Sequence, residues 1–363
     1  MEPLKEMFNS AYYQKLVKAL AGVYPAVIKK SLYQQLTEGL ADKSLNERLR
    51  HTSIVLQRHL PDRFEKAVGI LDQVIPLMDK GYTALVVPDF IGCFGKEKEE
   101  FSLAALKRYT PYGSSEFAIR EFLKKDFDKT LRVMKTWLDD PDPHVRRLVS
   151  EGSRPRLPWS FKLDAVIHNP GLTKPILHAL RGDSALYVKK SVANHLNDIS
   201  KEHPDYMLDL VAQWDLKNEH TGWIVKHASR SLIKRGHASA LRLFNVHTRI
   251  DLSLEGFTLN PRSIRLGETL HFEFCLRSNS KKEQKLMVDY IIDYRKKAGG
   301  LSPKVFKLKE FVLPPNGAVL ISKNQRIVDF TTRKHYPGEH KLTIQVNGTK
   351  LHTATFKIIE PQT

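Results

Sequence analysis

Two glutamates stand where a carboxylate could do chemistry. Glu151 lies in Ser150-Glu151-Gly152-Ser153-Arg154-Pro155-Arg156-Leu157-Pro158-Trp159, and Glu116 follows the polar, aromatic run Arg108-Tyr109-Thr110-Pro111-Tyr112-Gly113-Ser114-Ser115. The spacing of Val145, Leu148 and Val149 predicts a helix ending at Glu151, with Gly152 in the left-handed conformation that usually stops a helix. A carboxylate there faces the negative pole of the helix dipole, at a cost of a few tenths of a kcal/mol, so another interaction has to hold it. Beyond it, Pro155 and Pro158 stiffen an arm that spaces Arg154, Arg156 and Trp159. Taken by itself, the segment reads more simply as a helix–helix linker with solvated charges and a buried indole. Glu116 also has a structural reading. In the first turn of a helix capped by Ser114 or Ser115 it would complement the dipole and pair with Arg120 four residues on. On these placements, losing Glu116 costs up to about 1 kcal/mol, whereas removing Glu151 from a helix C-terminus does not destabilise.

The chemistry open to such a pair follows from the partner. With 58 Lys+Arg against 40 Asp+Glu the formal charge is +18, which folding does not require and which points to a polyanion, nucleic acid first. Residues 251–363 hold 19 basic and 11 acidic side chains (+8), leaving +10 for residues 1–250. No glycine-rich phosphate cradle, zinc-spaced Cys/His set or nucleophile elbow is present, so no metal or cofactor is implied and carboxylates are the remaining catalytic option. In a DNA groove two carboxylates suit attack on a glycosidic bond: one stabilises the oxocarbenium character of the sugar, the other positions or deprotonates water. A cationic alkylated base already leaves well and needs no general acid.

The elements that must position these groups are helical at first. Leu16, Ala19 and Leu20, then Leu32, Leu36 and Leu40, then Ile54, Leu56 and Leu60 recur at helical spacing. The run Pro88-Asp89-Phe90-Ile91-Gly92-Cys93-Phe94-Gly95 reads as a turn, with helices resuming at Phe101. Similar helix openings then recur at Asp142 to Leu148, Ala185 to Ser191 and Gly222 to Ala228, with Val145, Val188 and Val225 spaced by 43 and 37 residues, near the HEAT-like interval. In the second unit Val188, Val192, Leu196 and Ile199 form an apolar stripe, while Lys190, Asn194, Asn197 and Lys201 lie on another face. Stacked repeats would align such faces into a concave, phosphate-binding surface, although each residue alone reads equally as the solvated back of a helix.

Near Val246 the period changes to two. Leu270, Phe272, Phe274 and Leu276 alternate, as do Leu286 to Tyr294 and Leu342, Ile344 and Val346, and Asn347-Gly348 supplies a hairpin turn. The expected fold is mainly α: a HEAT-like helical repeat solenoid over residues 1–248, then an immunoglobulin-like β-sandwich over residues 249–363 that also touches DNA. The sandwich lacks the Cys…Trp…Cys core, because Cys275 is alone and no Trp follows Trp223. Cys93 and Cys275 read as ordinary buried thiols, and the N-terminus has no secretory pattern, so a cytoplasmic protein is expected.

Three segments carry a resemblance: Tyr112 to Arg120; Val145 to Gly152 with Arg154-Pro155-Arg156-Leu157-Pro158-Trp159; and Lys190-Ser191-Val192-Ala193-Asn194-His195-Leu196-Asn197-Asp198. With the opening Glu2-Pro3-Leu4-Lys5-Glu6-Met7-Phe8, the chain resembles the AlkC branch of bacterial DNA alkylation repair glycosylases. The resemblance implies excision of cationic N3-methyl bases, 3-methyladenine and 3-methylcytosine, from duplex DNA without flipping the lesion, as the first step of base excision repair near the nucleoid. By motif it makes Glu116 and Glu151 the catalytic carboxylates and Trp159, Arg154 and Arg156 lesion-site or backbone contacts. Lys190, Asn194, His195 and Asn197 would face phosphates, with Tyr112, Arg147 and Ser191 and, in the third repeat, Lys226, His227 and Arg230 completing the DNA-facing set. Alkylated duplex DNA is the implied partner, with no membrane and no obligate protein. The rival reading is a non-catalytic HEAT scaffold that binds DNA or protein through the same basic face, and a third is a protein–protein adaptor with an immunoglobulin-like tail. On the phosphate-groove reading, duplex affinity falls with salt at a slope of about −0.9 per phosphate contact. Charge reversal at Lys190 and Lys226 then weakens binding equally on damaged and undamaged duplexes, and fluorescence-anisotropy titrations that find both unchanged reject the groove.

Overall fold

The helical spacing folds into sixteen α-helices among residues 3–330 and 333–359, which a computed structural model describes. Glu2 of the opening motif lies outside these residues. The helices are α1 (Ser10–Val23), α2 (Lys29–Thr37), α3 (Leu45–His59), α4 (Phe64–Val74), α5 (Val86–Phe94), α6 (Glu99–Tyr109), α7 (Ala118–Lys125) and α8 (Phe127–Lys135). They continue with α9 (Pro143–Gly152), α10 (Asp164–His168), α11 (Lys174–Ala179), α12 (Leu186–Ile199), α13 (Pro204–Ala212), α14 (Glu219–Ala228), α15 (Arg230–Lys234) and α16 (Ala238–Arg242). The three recurring openings fall on α9, α12 and α14, and α12 packs against both of the others, the arrangement of a HEAT-like stack. Val145, Leu148 and Val149 of α9, Val188, Val192 and Leu196 of α12 and Ile224 and Val225 of α14 are all buried, which is what the shared apolar stripe required.

Two local expectations change. The run Pro88 to Gly95 is not a turn but most of α5, because Pro88 sits in the first helical turn, where its missing N–H goes unused. Gly92 within it allows α5 to lie against Ala118, whose Cα would be 3.2 Å from a Cβ at that position. Gly152 is the last residue of α9 and does not adopt the left-handed conformation; its Cβ would meet Ile119 at 2.6 Å, so glycine is needed there for close packing on α7.

By their mutual contacts, residues 1–207 and 213–228 form one compact unit, and residues 208–212 with 229–363 form a second. The second unit is a sandwich of β1 (Leu252–Asn260), β2 (Ser263–Ile264), β3 (Thr269–Ser278), β4 (Gln284–Arg295), β5 (Leu301–Leu313), β6 (Ala318–Arg326), β7 (Gly338–Val346) and β8 (Thr349–Ile358). One sheet has the order β1-β3-β6 and the other β2-β8-β7-β4-β5. Leu270, Phe272, Phe274 and Leu276 of β3 meet Val288, Tyr290 and Ile292 of β4 and Leu342, Ile344 and Val346 of β7 in one core, as period-two alternation demands. Cys275 is a free thiol, as is Cys93, and both are half-buried. The first strand begins three residues after the expected boundary at 248/249, yet the short helices before it belong to the sandwich. Leu241 and Val246 cover Met287 on the outer face of β4, and Asn347 Nδ2 donates to the His247 carbonyl at 2.8 Å. On this packing we place the structural boundary near residue 228.

The sandwich is pinned to those helices at a pair of glycines. Asn347 and Gly348 both have positive φ (49° and 82°), the two-residue hairpin that Asn-Gly favours, and Gly348 crosses Gly236 (φ 73°) backbone to backbone. A Cβ on Gly236 would lie 2.5 Å from the Gly348 Cα. Gly236→Ala therefore destabilises the second unit, by about 1–3 kcal/mol from backbone strain alone. Gly22→Ala, in α1 where a Cβ meets nothing within 4 Å, stabilises by up to about 1 kcal/mol. Denaturant titration that ranks the two variants the other way rejects the glycine crossing.

Candidate active site

The site is built on a buried cation. Arg120, on α7 and fully buried, donates from Nη1 to the carbonyls of Gly152 (3.0 Å) and Arg154 (2.7 Å) and from Nη2 to that of Phe161. Burial, reinforced by the nearby Arg154 charge, lowers its pKa to about 10, so it remains a cation at neutral pH. Its three acceptors lie at the end of α9 and along the following loop, so this one side chain sets the path of residues 152–161. The expected Glu116–Arg120 pair does not form, because that guanidinium is spent on main-chain oxygens. Glu116 precedes α7 instead of lying in its first turn, and neither Ser114 nor Ser115 caps the helix by a side-chain bond: Ser114 Oγ donates to Glu116 Oε2 at 2.9 Å, and Ser115 Oγ donates to the Leu106 carbonyl.

Glu151 is 5% exposed and held by two arginines. Arg154 Nη1 lies 2.7 Å and Arg147 Nη2 3.6 Å from its Oε1. These supply the interaction that a carboxylate at a helix C-terminus needs. Burial by itself would raise its pKa, but the Arg147 and Arg154 charges hold it below the ordinary carboxylate range. Arg147 Nη1 also reaches Glu116 Oε2 at 2.5 Å, and its guanidinium lies 4.3 Å over the Tyr187 ring. Both candidate carboxylates thus sit on one guanidinium, and both line a cleft of about 360 Å³ with Tyr82, Arg147, Trp159 and Tyr187. A larger hollow of about 820 Å³ beside Arg146, Asp183 and Trp214 contains neither carboxylate.

At the mouth of the cleft Trp159 is 66% exposed, with φ 64° and its indole edge-on to Tyr82, ring centroids 6.2 Å apart. A bulky residue in the left-handed region is strained and persists only where its surroundings demand it. The linker reading is thereby reversed: the indole is exposed and the charges of Glu151 and Arg154 are buried. Tyr82 donates to Asn46 Oδ1, and its pKa is pushed up to about 12 by burial and by the charges of Asp89 and Glu116.

The other expected DNA-facing residues divide by burial. Arg154 is 7% exposed and clamped between Glu151 and Asp198 (2.8 Å to Oδ2), so its guanidinium is engaged inside the protein. His195, fully buried, donates Nδ1–H to the Ser150 carbonyl (3.1 Å); burial and the Arg154 charge push its pKa down to about 3, so it is neutral and closed to phosphates. Asn197, also buried, donates to the Ala228 carbonyl at 2.7 Å, tying α12 to α14, and Ser191 is buried beside Glu151. His195 and Asn197 were expected to face phosphates, Arg154 to touch the lesion site or backbone and Ser191 to join the DNA-facing set, but all four side chains are buried in the repeat core. Lys190 and Lys226 are exposed, while Asn194, His227 and Arg230 are half-buried, with His227 stacked on Trp223 at 4.9 Å. Arg156 is ion-paired to Glu202, and Tyr112 lies under Lys80 at 5.5 Å without lining the cleft, to which its neighbour Gly113 contributes. Tyr82, Tyr187 and Asp198 were not anticipated: Tyr82 is remote in sequence, and Tyr187 and Asp198 lay at or inside motif edges without a periodic signal.

The arrangement suits one kind of chemistry. It offers two carboxylates backed by fixed cations, beside exposed aromatic surface; His195 is neutral and turned away, and His144 packs edge-on against Tyr187 without lining the cleft. Such a site suits the stabilisation of a positive charge, and no histidine lines it among the described residues.

Comparison with known proteins supplies a frame. The family described as "Uncharacterised protein YhaZ, C-terminal Ig-like domain" matches residues 253–360. YhaZ of Bacillus subtilis (strain 168) is 38% identical over 359 residues, 99% of this chain and all of that protein. The alkylpurine DNA glycosylase AlkC of Pseudomonas fluorescens, solved bound to DNA containing an abasic site analog, is 43% identical with a TM-score of 0.96, covering 99% of this chain and all of that one.

The burial of Glu151 overturns the expectation that its removal leaves stability unchanged. Glu151→Gln removes the carboxylate that Arg147 and Arg154 share, leaving each with one partner, Glu116 and Asp198, and costs about 2 kcal/mol near neutrality. The sign with pH follows from the lowered carboxyl pKa: the contribution is fully present above the ordinary carboxylate range and is lost as pH falls through the lower folded value. Chemical denaturation of parent and variant should give a gap at pH 7 that closes in acid; a gap independent of pH contradicts the ion-pair account.

Proposed function

This chain belongs to the AlkC family of alkylation-repair DNA glycosylases with a C-terminal immunoglobulin-like domain, and from that premise we propose how it acts and on what. It is a hydrolase of N-glycosyl bonds in alkylated DNA, and its substrates are cationic N3-methyl bases, 3-methyladenine and 3-methylcytosine, in the duplex. The observation that carries this reading is the pair Glu116 and Glu151 on one cleft, joined by Arg147, with no histidine among the described residues that line it. A neutral base leaves poorly without protonation, whereas a cationic base departs as a neutral molecule and transfers its positive charge to the sugar. Carboxylates aimed at the sugar gain from that transfer. Pro158, Trp159 and Tyr187 at the rim are exposed, so the carboxylates can meet a deoxyribose at the duplex surface, which supports attack without extrusion of the base. Lys190 and Lys226 supply sequence-independent phosphate contacts, and the +8 surplus of residues 251–363 supports a further grip by the sandwich. No helix among the described residues is long and apolar enough to cross a membrane.

A non-catalytic DNA-binding scaffold gains nothing from acids in its groove. Glu151→Gln keeps the side-chain volume and most hydrogen bonding while removing the charge. Under single-turnover conditions with 3-methyladenine and 3-methylcytosine duplexes it should bind as the parent does and excise on the order of 10²-fold more slowly or worse. Glu116→Gln behaves alike, and the double variant is little worse than the weaker single if the two act as a unit. Parental rates in a folded Glu151→Gln protein refute the assignment.

A further inference from the structure

Two carboxylates that share a cleft ordinarily share a proton, because the first negative charge opposes the second. A site that needs both ionised must solve this problem. The cations around the pair are unequally committed. Arg154 holds Glu151 but is shared with Asp198 on α12, and Lys201 serves Asp198 alone. Arg120 on α7 is bonded to main-chain carbonyls. The remaining groups near the pair are the Ser114 and Ser191 hydroxyls, the Tyr82 and Tyr187 phenols, the neutral His195, and His144, whose ring packs edge-on against Tyr187. Among the described residues Glu116 has one ion-pair partner, Arg147, and that same guanidinium is the bridge to Glu151. Its plane is supported from the other side by the Tyr187 ring.

We infer that Arg147 is the positioning residue of this site: standing between Glu116 and Glu151, it lets both carboxylates be ionised at once and turns them to one cleft. The role differs from contacting DNA, and it rests on the glycosylase reading above only for its kinetic consequence. A lysine could keep the charge but not both contacts, since two parallel N–H edges are a property of guanidinium.

The test combines base release from 3-methyladenine duplexes across pH with ¹³C NMR titration of the glutamate carboxyls, assigned by the loss of one resonance each in Glu116→Gln and Glu151→Gln. In the parent, excision should be level from about pH 6 to about pH 9 and both carboxyls ionised throughout. In Arg147→Gln one carboxyl takes up a proton near neutrality, so the rate falls at least about tenfold from about pH 8.5 to about pH 6 and recovers in base; Arg147→Lys regains much of the parental profile. A purely structural role would lower the rate equally at every pH, and parallel profiles for parent and Arg147→Gln overturn the inference. So does a parent in which either glutamate keeps a proton above about pH 6, a measurement that stands even where Arg147→Gln does not fold. If the parent releases no base, the glycosylase reading fails by itself, and the carboxyl titrations still decide the role of Arg147.

Discussion

A guanidinium without water must find acceptors, and for Arg120 these are the carbonyls of Gly152, Arg154 and Phe161. The rest of the site depends on this constraint. Leaving such a cation or its acceptors unpaired costs several kcal/mol, so the loop after α9 has one low-energy path. That path buries Arg154 where it can neutralise Glu151 and Asp198, and it carries Trp159 outward in a strained conformation. Gly152 completes the constraint, because a larger residue would hold α9 off Ile119. Stability and chemistry therefore rest on the same contact.

Next to the Arg120 cation the charges alternate. Asp198, Arg154, Glu151, Arg147 and Glu116 form a continuous ladder from the core of α12 to the cleft, and exposure rises toward its outer end. An isolated buried carboxylate would take up a proton; one rung of a ladder need not. Glu151 thereby keeps its negative charge although it is buried, which suits it to stabilising a developing cation.

The repeat architecture explains why some polar residues of α12 point away from solvent. A helix stacked between two others, as α12 is between α9 and α14, has two packed flanks and little free face. His195 is spent on Ser150 of α9 and Asn197 on Ala228 of α14, each satisfying a main-chain carbonyl across a helix contact. Lys190 alone among the polar residues of that motif is fully outward.

The sequence by itself determined the division into helical repeats and a sandwich, the Asn347-Gly348 hairpin and the identity of Glu116 and Glu151 as candidate groups. These depend on periodicities of 3.6 and 2, on turn chemistry and on motifs that span few residues, all of which are local. Tertiary structure alone decided that Arg154, His195 and Asn197 face the core, that α15 and α16 belong with the sandwich, and that Tyr82 and Tyr187 wall the cleft. It also decided that one arginine joins two carboxylates lying 35 positions apart in the chain. The reason is that helical period marks which residues share a face but not which helix will cover that face, so burial of a polar side chain, and with it the sign of its electrostatic environment, is settled only when the neighbouring helices pack.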